Sequence, residues 1–314
     1  MSKPTVSRRD FIKQCGILSL LLSGTSLYTR DLLYGFKKIE NSAKPLVMFI
    51  QGQACTGCSI SATYGNESDF LSFVVDIVKL QAHPNLSFAH GHSYEKIIEE
   101  MIEQKGYYLV LEGSVPSKIQ EACYFMGKPL YQSLKTAIAN AGAVVLSGTC
   151  AASGGIPAAP NNLTGAISGE EYIQRLGLKT PYIKIPGCPA HPDRLMGTVA
   201  YIVATGKLPE LKNGAPRMYY DKTIHEQCAR FGMFNENNYC ESFRDSGCLL
   251  KKGCRGTITE SDCPSRRWNG GANVCIESNA PCIGCIHPDF PFSTDLYLEP
   301  KEIDDLNWHE LKKM

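Results

Sequence analysis

From about residue 44 the chain alternates unbroken apolar runs with stretches in which apolar positions recur at helical spacing. The runs Leu46 to Ile50, Tyr107 to Leu111, Ala143 to Ser147 and Tyr182 to Pro186 are each followed at once by a Gly-containing turn. Continuous runs of this kind fit strands covered on both faces, as in a parallel sheet. Amphipathic helices are expected between them, at Phe70 to Lys79 and Tyr94 to Lys105. This alternation predicts an α/β fold, a doubly wound parallel sheet with helices on its faces, over residues 44–210. After Asn213-Gly214-Ala215-Pro216 the periodicity disappears and Gly, Asn, Ser and Cys dominate. An irregular second domain is expected over 211–314. Such a segment buries too little apolar surface to offset its ordering entropy unaided, so metal clusters would have to act as its core.

The first 43 residues follow neither pattern. Ser7-Arg8-Arg9-Asp10-Phe11-Ile12-Lys13 precedes the apolar run Gly16 to Leu22, the form of a twin-arginine export signal, with a mature start expected near Lys44. The apolar run is well short of the roughly 20 residues that span a bilayer. The C-terminal stretch Leu298 to Met314 is charged, so no anchor is expected there. A periplasmic location follows, with any membrane association made through a partner. At 314 residues and 43% hydrophobic, the chain can bury a sizeable core. Its net charge is +1 and its Lys and Arg are dispersed, which sets nucleic acid aside as a partner.

Fourteen cysteines in an exported protein ordinarily suggest disulfides. The export route argues otherwise, because twin-arginine substrates cross the membrane already folded around their cofactors. Four cysteines sit just past strand ends: Cys55 and Cys58 in Gly52-Gln53-Ala54-Cys55-Thr56-Gly57-Cys58, Cys150 in Gly148-Thr149-Cys150, and Cys188 in Pro186-Gly187-Cys188-Pro189. In open α/β sheets the crevice at the carboxyl ends of the strands is the ligand site, so these turns can converge on one cofactor. Four thiolates there could hold zinc. Two ligands from separate single-cysteine turns favour a 4Fe-4S cluster instead.

Further along, His225 and Cys228 pair with Cys248 and Cys254 as a set of one His and three Cys, and Cys263, Cys275, Cys282 and Cys285 form a third set. Replacing a thiolate by a neutral imidazole removes negative charge and tends to raise a cluster's potential. Cys15 falls within the export signal, and Cys123 and Cys240 read as packing residues.

Gly148-Thr149-Cys150-Ala151-Ala152-Ser153-Gly154-Gly155-Ile156, Pro281-Cys282-Ile283-Gly284-Cys285, the Cys55 and Cys58 motif and the twin-arginine segment closely resemble the small subunit of periplasmic nickel-iron hydrogenases across essentially the whole chain. The resemblance implies a flavodoxin-like domain followed by an irregular iron-sulfur domain. It also implies a proximal cluster on Cys55, Cys58, Cys150 and Cys188, and a distal cluster on His225, Cys228, Cys248 and Cys254. Cys263, Cys275, Cys282 and Cys285 are left for a medial cluster. Oxygen-tolerant members carry two extra cysteines near the proximal cluster, where this chain has Gly57 and Gly155. Many members place proline at the position of Cys275 and hold a 3Fe-4S medial cluster; the stretch Trp268 to Cys275 looks instead like the nickel-iron-selenium branch. Three 4Fe-4S clusters are therefore expected, the medial one becoming 3Fe-4S if Cys275 is not a ligand.

By the same resemblance, hydrogen is cleaved at a nickel-iron centre in a separate large subunit. This chain relays the electrons to a carrier such as a multihaem cytochrome c or a membrane electron-transfer subunit, and needs no catalytic side chain of its own. Two other readings stay open: the cluster-bearing subunit of a quinone-reducing respiratory complex, and a zinc-stabilised exported binding protein.

Overall fold

A computed structural model describes residues 44–65 and 69–292. The export-signal reading, Cys15 and the charged C-terminal stretch lie outside the described residues. Five strands form one parallel sheet: β1 (Leu46–Gln51), β2 (Lys79–Ala82), β3 (Tyr108–Glu112), β4 (Ala143–Ser147) and β5 (Tyr182–Ile185). Their order is β2-β1-β3-β4-β5, the flavodoxin-like doubly wound arrangement. The expected fold class is thus observed.

Alternate residues of the central strands feed two separate cores. On one face Val47, Phe49, Val110, Val145 and Ile183 pack with Leu195, Met196 and Val199. On the other, Met48, Ile50, Leu109, Leu111 and Val144 pack with Ile98, Leu134 and Tyr172. The helices that supply these residues are α1 (Gly57–Ala62), α2 (His92–Gln104), α3 (Leu130–Asn140), α4 (Gly148–Ser153), α5 (Gly169–Arg175) and α6 (Pro192–Thr205). Burying a Val, Leu or Ile side chain stabilises by about 1.5–3 kcal/mol, so these two layers account for the rigidity of the strand ends.

The helix expected at Phe70 to Lys79 is corrected. Only Phe70–Ser72 is α-helical, Phe73–Ile77 is a π turn, and Lys79 already begins strand β2. This edge strand is four residues long and partly exposed, so it lacks the apolar run that marks its neighbours.

Beyond α6 the backbone is largely turns, with short helical segments such as Phe231–Asn235 and Cys263–Arg266. Its core combines Tyr219, Tyr220, Ile224, Leu249, Val274 and Ile276 with the thiols of Cys240, Cys263 and Cys282. Cysteine here takes the volume that Leu or Val would occupy in an ordinary core. The segment is fastened to the sheet layer by specific bonds. Thr149 Oγ1 accepts from the Gly187 amide at 2.9 Å and donates to the Cys285 carbonyl at 2.5 Å. Tyr220 Oη donates to the Pro186 carbonyl at 2.9 Å.

Candidate metal centres

Strands β1, β4 and β5 end on the turns that carry Cys55 and Cys58, Cys150, and Cys188, at the carboxyl edge of the sheet beside the switch point between β1 and β3. The four thiols are electrostatic neighbours. Burial first, then Cys188 and Cys55 among others, push Cys150 up to about 11. Burial, Glu112, Cys150 and Cys188 all raise Cys58, whose Sγ accepts from the Ala190 amide at 3.3 Å. Cys55 is exposed at the mouth of the crevice.

Glycines shape this crevice. Gly148 has φ +83°, and a Cβ there would stand 2.4 Å from Cys58 Sγ. A Cβ at Gly57 would lie 3.0 Å from Cys55 Sγ, and one at Gly155 2.9 Å from Cys150 Sγ. Gly57 and Gly155 therefore both abut the thiols of the crevice.

Glu112, at the end of β3, was missed by the sequence reading. Its buried carboxylate accepts from the Cys58 amide at 3.0 Å, from Gln51 Nε2 at 3.2 Å and from the Ser59 hydroxyl, fixing the turn between Cys55 and Cys58. An acid at the tip of an apolar strand reads as a solvent-facing end. Only the return of the β1 turn over it reveals its role.

In the second region Cys228, Cys248 and Cys254 are mutual neighbours. Burial, offset in part by the Gly256 and Cys282 amides, and the adjacent Cys248 and Cys228 thiols bring Cys254 to about 11. His225 opens the short turn that ends at Cys228, its amide donates to the Gly256 carbonyl at 2.9 Å, and its ring is flanked edge-on by Phe231 and Phe234 at 5.1 and 4.6 Å. Burial lowers its pKa, favouring the neutral imidazole that binds metal.

Cys263, Cys275, Cys282 and Cys285 come together in the third set. A cavity of about 640 Å³ is lined by all four, and by Cys188. Burial, then Cys263, Cys275 and Cys188, push Cys285 up to about 12. Cys275 is exposed, at the rim. Neighbouring thiols join the sets: Cys188 raises the pKa of Cys285 across the shared cavity, and Cys254 raises that of Cys282. The third set thus lies between the other two.

Cys123 packs on the second core, and Cys240 is buried with its thiol donating to the Gly247 carbonyl at 2.8 Å. Among the described residues no three His, Cys, Asp or Glu side chains are gathered tightly enough to hold a single metal ion. The buried thiols Cys58, Cys150, Cys254 and Cys285 stay protonated at neutral pH unless a metal supplies positive charge, and a coordinating thiol is deprotonated outright. Spaced thiols around a cavity fit the donor set and size of a polynuclear iron-sulfur cluster.

The comparisons with known proteins agree along the chain. Residues 220–298 match the family that describes the C-terminal part of the NiFe/NiFeSe hydrogenase small subunit, and residues 55–202 match NADH ubiquinone oxidoreductase, 20 Kd subunit. The periplasmic [NiFeSe] hydrogenase small subunit of Desulfomicrobium baculatum is 31% identical over 91% of this chain and 96% of its own length. The uptake hydrogenase small subunit of Afipia carboxidovorans is 33% identical over 92% and 80%. Among solved structures, the reduced, active Ni-Fe-Se hydrogenase of Desulfomicrobium baculatum superposes with a TM-score of 0.76 at 33% identity, covering 79% of this chain and 96% of that one. The [NiFeSe] hydrogenase of Desulfovibrio vulgaris Hildenborough gives 0.76 at 34%, covering 82% and 98%. The respiratory-complex match ends at residue 202, whereas these relatives continue through the cysteine-rich segment, so that reading is not favoured. The chain belongs to the nickel-iron hydrogenase small-subunit family, as the electron-transferring subunit of a hydrogenase.

Proposed function

We propose that this chain conducts electrons one at a time between the nickel-iron site of a separate large subunit and an external carrier, through three 4Fe-4S clusters. The proximal cluster is held by Cys55, Cys58, Cys150 and Cys188, the medial by Cys263, Cys275, Cys282 and Cys285, and the distal by His225, Cys228, Cys248 and Cys254. When bound, the clusters supply the one-electron chemistry. The protein holds them, excludes water and sets their charge environment. The observation that carries this reading is the adjacency of the sets: Cys188 of the first lines the same cavity as the four cysteines of the third, and Cys282 of the third neighbours Cys254 of the second, so three sets stand in one file.

The carrier is a multihaem cytochrome c or a membrane electron-transfer subunit. Residues 44–210 form the proximal-cluster domain and 211–314 the domain of the other two. Export runs through the twin-arginine route to the periplasm, the location named for the Desulfomicrobium relative. Among the described residues no helix is long and apolar enough to cross a membrane. The proximal crevice faces the large subunit through an extensive obligate interface.

Purification of the complex from its host tests this directly. The expected product is a brown heterodimer or larger assembly carrying about twelve irons per small subunit beyond those of the large subunit. A colourless chain binding zinc, or a stable monomer that is active alone, would overturn it.

A sharper test uses Cys275→Pro. Removing this thiolate leaves one iron of the medial set without a protein ligand, and its loss is expected to produce a 3Fe-4S cluster. Electron paramagnetic resonance of the air-oxidised protein should show a stoichiometric 3Fe-4S signal in the variant and none in the parent. A full-strength signal in freshly isolated parent protein would remove Cys275 from the ligand set.

A further inference from the structure

Helix α6 carries Arg194 on the side facing the cysteine-rich segment, where the residue is completely buried. Its Nη2 donates to Ser261 Oγ at 2.7 Å and to Cys263 Sγ at 3.2 Å, and its Nε donates to Asp262 Oδ1 at 2.9 Å. Asp262 is shared with Arg266, whose Nε reaches Oδ2 at 2.7 Å. The guanidinium also stands 5.2 Å from the centre of the Tyr220 ring. Its remaining terminal nitrogen, Nη1, is buried and has no hydrogen-bond partner among the described residues. An arginine side chain remains protonated in proteins, and Asp262 stands against this one as its counter-charge at 2.7 Å.

A buried ion pair is a poor source of stability, because removing both charges from water costs about as much as their attraction returns. Hydrophobic residues would anchor α6 here at least as well. The neutral Ser261 hydroxyl already lies 3.2 Å from the Cys263 sulfur, so what only a cation adds at this position is positive charge.

We infer that Arg194 is a positioning residue for electron transfer, which raises the reduction potential of the medial cluster by hydrogen-bonding the Cys263 ligand sulfur and offsetting its negative charge. The inference rests on the reading of Cys263 as an iron ligand. Reduction adds one electron and no proton, so the reduced form is the more negative one and a fixed cation beside it favours that form. Hydrogen bonds to ligand sulfurs and local charge are recognised determinants of cluster potential. With four thiolates the medial set carries more negative charge than the distal set, where a neutral imidazole replaces one of them, and a nearby cation offsets part of that difference.

The test is a redox titration of the intact hydrogenase followed by electron paramagnetic resonance, with iron counted in every sample. The medial signal is identified as the one altered in Cys275→Pro. In Arg194→Met the ratio of reduced to oxidised medial cluster at fixed potential is expected to fall about tenfold, equivalent to about 59 mV for a one-electron couple. Arg194→Lys, which keeps the charge, should recover most of that ratio. Asp262→Asn, which removes the opposing negative charge, should move the ratio upward. A purely structural role would move both partners of the ion pair the same way or move neither.

An unchanged midpoint in fully loaded Arg194→Met overturns the inference, as does a downward shift in Asp262→Asn. If Arg194→Met fails to load its clusters, Asp262→Asn and Arg194→Lys decide by the same criteria. A parent enzyme with no medial signal, or too little iron for three clusters, instead overturns the ligand assignment on which the inference stands.

Discussion

Gly148→Ala is expected to empty the proximal set while leaving the sheet folded. Gly148 begins α4 directly after β4, and its φ of +83° lies where a side chain costs about 1–2 kcal/mol. The greater effect is steric. The new Cβ would stand 2.4 Å from Cys58 Sγ and 3.4 Å from the Gly187 carbonyl, so the thiol of Cys58 or the turn before Cys150 must move. Either movement breaks the convergence of four thiolates on one cluster. The purified complex should lose about four irons per small subunit, and hydrogen-driven reduction of an external dye should fall by about 100-fold or more, because electrons lose their entry point. Gly127→Ala serves as the control. Gly127 also has positive φ, at +69°, but a Cβ there meets nothing within 4 Å, so it carries the strain without the collision. Normal iron content and dye reduction in Gly148→Ala would contradict the assignment of Cys58 and Cys150 to a shared cluster.

His225→Ala probes the other end of the file. The imidazole is packed between Phe231 and Phe234, and burial keeps it neutral, the state that ligates metal. Its removal leaves the catalytic centre in the other subunit untouched. Electron delivery to the natural carrier is therefore expected to fall about 10- to 100-fold. Hydrogen-deuterium exchange, which needs the nickel-iron site alone, should be largely retained. Loss of both activities in an assembled complex would show that His225 serves the structure of the chain and not the exit of electrons. Retention of both would show that it is not a ligand.

What the sequence disclosed follows from how each feature is encoded. Strands β1, β3, β4 and β5 are covered on both faces and so appear as continuous apolar runs. Strand β2, at the sheet edge and partly exposed, carries the mixed residues Lys79, Leu80, Gln81 and Ala82 and has no such mark. The cysteines could be grouped because strand ends converge and because the cysteine-rich segment offers little else for a core. Glu112 and Arg194 could not be picked out. A carboxylate at a strand tip and an arginine on an amphipathic helix are ordinary solvent-facing residues until a distant segment folds over them. Here the segments are the Cys55 to Ser59 turn and the stretch Ser261 to Cys263, whose bonds from Ser59 and Ser261 span 53 and 67 positions of chain respectively.

Thr149 takes on a particular meaning once the chain is viewed as a conductor. Electron tunnelling weakens exponentially with the gap between donor and acceptor, so small fluctuations in spacing change the rate out of proportion to their size. The Thr149 hydroxyl ties the Gly187 amide, next to Cys188, to the carbonyl of Cys285, and its own amide donates to the Gly187 carbonyl at 2.8 Å. One buried side chain thereby clamps together the loops that carry Cys188 and Cys285, from two adjacent cysteine sets. On the proposed assignment, a threonine that touches no iron sets the tolerance of the first tunnelling gap within the subunit.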